Sequence, residues 1–495
     1  MNLAGLNAAR YWLSLALAAA TLSLYLPSLA ADFQFDDYLV IVRDTRVQSF
    51  TAWLVSMPGM RPLLKLSYAL GHEFGHGPRG FRLVNILVHG ANACLVLRLF
   101  ERASLRHGLA PAAALGVAAA TALLFAFHPV QTEAVTYISG RSSSLSALAC
   151  LAALSAWLRA VENPSSGQGM RWWAALFFVF ALAVKESSLV LPVILLCWWL
   201  AQPNPPAARV AWRASTPMLA LCLAGTAVLF ALPAFRQLVL DALSRRSLWQ
   251  NLLLQAEAIP YLAGQLLALG SMNPDPDLPM PSGLTPSIAL RLALLLLLVG
   301  GAVAFRRRYP AFAFATLWFF AWLLPTHSLL PREDPVNDRQ LYLAMAGPVW
   351  FVIFSSWYII DRWRTRVSAC CSISSTVAAM LVLAIVAAVL AAATYTHNRA
   401  YATETSFWED VAAKSPHKPR VLNNLGYAYA LACRDGEAAT MFERVIALDP
   451  GNTLAQVNLD LLRKGLLRGR QAVPCPPSGV GPPPESGSDA RHQRG

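Results

Sequence analysis

"LYLPSLAADFQFDDYLVIVRD", residues 24–44, ends an apolar block and opens a polar one. "SLAAD" resembles a small-residue cleavage site, so the block reads either as a cleaved signal peptide or as an uncleaved first membrane span. The block runs near 11–30, about 20 residues, and only Arg10 precedes it. That length suits an uncleaved signal anchor better than a short leader. Asp36 and Asp37 then sit just past the first span, at the outer membrane surface, among Phe33, Phe35 and Tyr38.

The rest of the chain supports this reading. It is 56% hydrophobic and 14% charged, against about 25% charged in ordinary soluble domains. Apolar blocks recur near 82–101, 110–128, 143–160, 171–184, 187–201, 214–232, 288–305, 311–329, 341–360 and 375–394, giving about eleven spans with the first. Some are shorter than the ~20 residues a perpendicular helix needs, which points to burial among neighbours or to broken helices. The expectation is a mainly α, polytopic membrane helical bundle. The net charge of +13 is not a nucleic-acid signal, because the arginines cluster at block ends and no basic face is interleaved with aromatics.

Counting from a cytoplasmic N-terminus places Arg102, Arg106, Arg159, Arg171, Arg209, Arg213 and the Arg306–Arg308 run inside. Two long loops, 31–81 and 233–287, fall outside, and the second contains an amphipathic stretch from Leu248 onward. A twelfth span there is the alternative, and it would invert everything downstream.

After residue 394 the composition turns soluble. "VLNNLGYAYALACRDGEAATMFERVIALDP" carries a tetratricopeptide (TPR) pattern: Leu425 and Gly426 for close helix approach, Tyr429, Ala438 and Phe442 for the seam, Pro450 as the stop. The division expected is a membrane domain over 1–394, a short TPR-like helical domain over 395–468 outside the cytoplasm, and a disordered Pro/Gly-rich tail over 469–495.

His72-Glu73-Phe74-Gly75-His76 has the HExxH spacing of a zinc protease. Gly71, Gly75, Gly77 and Pro78 crowd the stretch, and each glycine costs a helix about 1 kcal/mol relative to alanine. The motif is therefore read as a coincidence, and no metal site is assigned.

The informative polar residues lie in short outside loops. "FHPVQTEAVTYISGR" supplies His128, Glu133 and Arg141; "VKESSLV" supplies Lys185 and Glu186; "PREDPVNDRQLYLAMAG" supplies Arg332, Arg339 and Tyr342. Ionisable residues between spans are expensive and functional by default. Carboxylates and cations gathered at one membrane face suit an anionic lipid headgroup, while a salt-bridged lumen is the structural alternative for each loop taken alone.

In ordered pieces the chain resembles the transmembrane-and-TPR O-mannosyltransferases and their bacterial relatives among the GT-C glycosyltransferases. The pieces are "FQFDDYLVI", "RPLLKLSYAL", "FRLVNILVHG", "FHPVQTEAVTYISGR", "VKESSLVLP", "DPDLP", "DRQLYLAMAG" and the C-terminal repeat. Departures occur at Arg82, where the family usually has His, at Ser142–Ser144, where an acid is frequent, and after Lys185-Glu186, where glycine is usual.

The resemblance implies inverting transfer of a sugar from a polyprenyl-phosphate carrier to a protein or glycan hydroxyl outside the cytoplasm. Asp36 or Asp37 would be the base. Arg141, Lys185 and Arg339 would hold the lipid phosphate, with His128, Glu133, Glu186 and Tyr342 as further substrate contacts. No cofactor is required, and a divalent metal is compatible but not demanded. The repeat would present the acceptor. The implied location is a multi-pass protein of a bacterial inner membrane, with its site and C-terminus in the periplasm. A lipid-linked sugar flippase and a TPR membrane scaffold are the competing readings; the absence of two similar halves counts against the first.

Overall fold

The computed structural model describes residues 3–467 except 57–58, 76, 164–166, 168, 329–330, 333 and 365–368. It is 79% helical, with no strand among the described residues. In order, the helices are α1 Leu3–Tyr25, α2 Phe50–Ser56, α3 Pro62–Glu73, α4 Gly77–Arg106, α5 Pro111–Phe127, α6 Thr132–Val135, α7 Arg141–Glu162, α8 Met170–Val184, α9 Leu191–Leu200 and α10 Ala208–Ala231. The remaining helices are α11 Pro233–Arg245, α12 Leu248–Gln265, α13 Pro286–Ala304, α14 Pro310–Leu323, α15 Ala346–Arg364, α16 Ala369–Ala400, α17 Glu404–Lys414, α18 Pro419–Leu431, α19 Asp435–Leu448 and α20 Thr453–Arg463.

Every apolar block in the sequence carries one of these helices. Six described helices are long and apolar enough to cross a bilayer, or seven if α5 and the turn after it, bent by 57°, count as one broken span. Three more apolar segments span only 10–17 residues. The chain is thus a polytopic helical membrane protein. The shorter helices are tolerated because they pack among neighbours: Phe314 and Trp318 of α14 and Trp198 of α9 are buried against Phe100 of α4 and Trp350 of α15, as an edge-on aromatic cluster.

Local chemistry sets the helix ends. Proline opens α3, α5, α11, α13 and α14, where its missing N–H costs nothing. Ser247 and Gln250 form a reciprocal capping box at the start of α12. Along α5, Ala114, Ala118, Ala122 and Ala126 recur every fourth residue and are buried, a small-residue face that lets helices approach closely.

The chain divides into two compact units between Lys414 and Ser415. Composition alone places the change at 394/395. The difference arises because α16 continues to Ala400 and α17 still packs on the first unit: the Trp408 ring lies edge-on to Phe35, 5.1 Å away, and Phe407 is 5.0 Å from Tyr401. In the second unit α18 and α19 pair, and a Cβ on Gly426 would come within 2.8 Å of Phe442 Cε1. Leu425, Ala438 and Phe442 are buried, and α20 attaches through Asn458, whose amide donates to Asn423 Oδ1 at 3.0 Å. The expected tail, 469–495, lies outside the described residues.

Candidate functional site

The loop after α1 separates the acidic pair. Asp37 is fully buried. Its Oδ1 accepts from the Ser139 N–H at 2.8 Å and the Ser139 hydroxyl at 2.5 Å, and its Oδ2 accepts from the Gln34 N–H at 3.2 Å. Burial pushes its carboxyl up to about 6, against the lowering effect of those hydrogen bonds. Asp37 therefore pins the loop to residue 139.

Asp36 is only partly buried. Its N–H donates to the Tyr137 hydroxyl at 3.1 Å, and its charge acts on Arg339. Phe35, in the left-handed region at φ 44°, makes the turn that sends these two neighbouring carboxylates to different surroundings. Arg82, the departure from the family's His, braces the same loop: it donates to the carbonyls of Ala31, Asp32 and Thr136.

The 128–141 segment is tied down by hydrogen bonds within the protein. His128 Nδ1 accepts the Val130 N–H at 3.2 Å and so carries no proton. Its Nε2, the protonated nitrogen, donates to Leu266 O at 3.2 Å. Glu133 is buried and holds Arg339 twice, accepting its N–H at 2.8 Å and facing its Nε at 3.3 Å. A Cβ on Gly140 would lie 2.1 Å from Glu133 O, so only glycine fits there.

Arg141, expected at the lipid phosphate, is held by the protein. Its guanidinium is fully buried and bonded at every nitrogen, to Asn85 Oδ1, Ser67 O and Oγ, and Phe81 O at 2.7–3.2 Å. It also stacks over Tyr68 and Phe81, 5.0 and 5.4 Å from their ring centres. Tyr342 likewise turns its hydroxyl inward, to His89 Nδ1 at 2.7 Å and the Asn92 amide at 2.9 Å.

A second group of charges faces open space. The Lys185 ammonium donates to Ser143 Oγ at 2.7 Å, one of the serines that stand where the family often has an acid. Burial, then the positive charges of Arg339, Arg61 and Arg332, push its pKa well below the ordinary lysine value. Lys185 and Arg339 both line a cavity of about 70 Å³, together with Ser143, Ser187, Thr326 and Gln340.

An adjoining cavity of about 580 Å³ shares Ser187, Val190 and Pro325 with it. Its lining joins Arg61, Glu186 and Arg332 to an apolar set that includes Leu229, Phe235, Leu238 and Leu324. Glu186 makes a bidentate ion pair with Arg61 at 2.6 and 2.9 Å. Arg61 and Tyr137 are site residues that motif reading passed over. Arg61 opens "RPLLKLSYAL", and the adjacent proline could have marked it as held in place.

The HExxH stretch does not form a zincin helix. α3 ends at Glu73, Gly75 turns at φ 67°, and His72 Nε2 contacts Ile41 O at 3.2 Å. His76 lies outside the described residues. Among those residues no group of three or more His, Cys, Asp or Glu side chains is placed to hold a metal.

Comparison with known proteins bears out the resemblance. The chain is similar to protein O-mannosyl-transferase TMTC4 of Mus musculus, 30% identical over 211 residues, which cover 36% of this chain and 28% of that protein. It is 30% identical to protein O-mannosyl-transferase Tmtc2 of Drosophila melanogaster over 193 residues, 35% of this chain and 20% of that one. Mus musculus TMTC1 is 29% identical over 213 residues, 38% and 22% of the two chains. The chain thus spans between a fifth and somewhat over a quarter of these relatives. No family model and no solved structure matches it.

Proposed function

We propose that this chain is an integral-membrane glycosyltransferase of GT-C type. It moves a hexose from a polyprenyl-phosphate carrier to an acceptor hydroxyl, a protein Ser or Thr, on the extracytoplasmic face. The observation that carries the reading is the meeting of Lys185 and Arg339 at one small cavity beside a larger, apolar-walled one. A polyprenyl chain needs apolar walls, and its phosphate needs fixed cations. The similarity to proteins named O-mannosyl-transferases supports the same class.

Asp36 takes the proton of the acceptor hydroxyl. The acceptor oxygen attacks the anomeric carbon from the face opposite the phosphate. The bond from that carbon to the phosphate oxygen breaks, and polyprenyl phosphate departs with the electron pair, so the anomeric centre inverts. Lys185 and Arg339 stabilise the charge that grows on the leaving phosphate. Glu133 positions Arg339, and Asp37 positions the Asp36 loop. The corresponding orientation puts the site and C-terminus in the periplasm of a bacterial inner membrane.

The test is transfer from radiolabelled polyprenyl-phosphate sugars in membranes carrying wild type, Asp36→Asn or Lys185→Met at matched expression. Loss of label in both variants with intact folding is the expected result. Unchanged labelling in Asp36→Asn would remove the base.

A further inference from the structure

At the far ends of α4 and α7 from the candidate site lies a separate cavity of about 720 Å³. α4 has 30 residues and α7 has 22, about 45 and 33 Å at 1.5 Å per residue, enough to cross a hydrocarbon core of about 30 Å. Asp37, Ser139 and Arg141 stand at the starts of these helices, and this cavity stands at their finish. It therefore faces the opposite leaflet.

Its lining gathers five arginines: Arg10 from α1, Arg98, Arg102 and Arg106 from α4, and Arg159 from α7. In the sequence Arg102, Arg106 and Arg159 read only as orientation signals, in separate places. The fold brings them around one space. Glu101 and Glu162 are the acids present, leaving a net charge of +3. Glu101 is taken by Arg10 at 2.8 Å and Glu162 by Arg106 at 3.3 Å. Among the described residues Arg102 reaches only the Ser155 carbonyl, at 3.4 Å. The guanidiniums of Arg98 and Arg159 have no hydrogen-bond acceptor among the described residues.

Arg98, Arg102 and Arg106 follow one another at four-residue spacing, so three like charges share a helix face and repel. An anion between α4 and α7 relieves that repulsion. Guanidiniums match phosphate oxygens in a two-pronged geometry. Asn7, Ser155 and three leucines, Leu95, Leu99 and Leu105, complete the lining, and the leucines suit the glycerol and upper acyl region of a lipid better than a water-soluble ion.

We propose that this cavity binds the phosphate of an anionic phospholipid in the leaflet opposite the candidate active site, with Arg98 and Arg159 as its principal ligands. The proposal needs only that α4 and α7 cross the bilayer; it does not depend on the transferase reading. The full chain in phosphatidylcholine nanodiscs is compared with the same protein in nanodiscs containing phosphatidylglycerol, and with the first sample plus inorganic phosphate. The readout is Tm. Wild type should gain a few degrees from phosphatidylglycerol.

Arg98→Gln/Arg159→Gln should fold with an equal or higher Tm in phosphatidylcholine, since one repelling charge is gone from α4, and lose the gain. Arg209→Gln/Arg213→Gln, which removes the same charge from α10 outside this cavity, should keep it. An equal gain in wild type and the Arg98/Arg159 variant, or none in wild type, overturns the site. The same gain from inorganic phosphate alone, lost in that variant, would show a soluble phosphate ligand and overturn the lipid assignment.

Discussion

Within the first unit, two sets of buried charge look alike in sequence and differ in their partners. Arg141 is bonded at every guanidinium nitrogen to Asn85, Ser67 and Phe81. Lys185 has one neutral hydrogen-bond partner, Ser143, three arginines nearby, and a cavity in front of it. The first is bonded at every nitrogen by the protein. The second has one neutral acceptor and faces a cavity in which an anion would complete its partners. The same contrast divides Asp37, with three hydrogen bonds, from Asp36, which is more open. For a buried ion, the number of protein partners separates scaffold from chemistry better than its identity does.

The sharpest way to break this comparison is to remove the two cations separately. Arg141→Met leaves several buried acceptors unpaired at roughly 1–3 kcal/mol each, and the protein should fail to accumulate in membranes. Lys185→Met should fold normally and lose about 10²–10³-fold in transfer rate. Equal expression of both variants, by fluorescence-detected gel filtration, would erase the distinction.

The acids come next. Asp36→Asn should reduce transfer by about 10²–10⁴-fold with little change in Tm. Asp37 acts through stability. Because burial raises its folded-state pKa to about 6, the fold favours its protonated form. Its favourable contribution is full below the ordinary carboxylate range near 4 and is lost as pH rises through about 6. A Tm profile across that window should fall for wild type and flatten for Asp37→Asn. A wild-type profile that rises instead would mean Asp37 is stabilised as the anion.

The second unit offers a reference in which packing alone decides. Gly426→Val drives a side chain into Phe442 and should cost about 1–3 kcal/mol in urea unfolding. Gly436→Ala, with nothing within 4 Å of its new Cβ, should be neutral or stabilising. The smallest effect on transfer is expected at Glu133→Gln. It keeps an acceptor for the Arg339 N–H but loses the charge that orients the guanidinium, and turnover should drop about tenfold while Tm holds. A drop as large as that of Lys185→Met would place Glu133 in contact with substrate.

Much of the architecture was legible in the residues because membrane helices obey local rules. The length and apolarity of each block depend on nearby chain only. Those rules placed a helix on every apolar block and brought Asp36, Lys185 and Arg339 to notice as polar residues at one membrane face. They also exposed the weakness of HExxH, since Gly75 sits where the helix has to continue.

What only the tertiary structure decided is which charges are satisfied. The partners of Arg141 lie 56–74 residues away in the chain, Ser139 is 102 residues from Asp37, and Glu186 is 125 residues from Arg61. The arginine cavity at the other end of α4 and α7 draws on three helices in the same way. Hydrogen bonding is short-ranged in space and indifferent to separation along the chain. Periodicity therefore reveals where a charge is buried, and the packed fold alone reveals what, if anything, answers it.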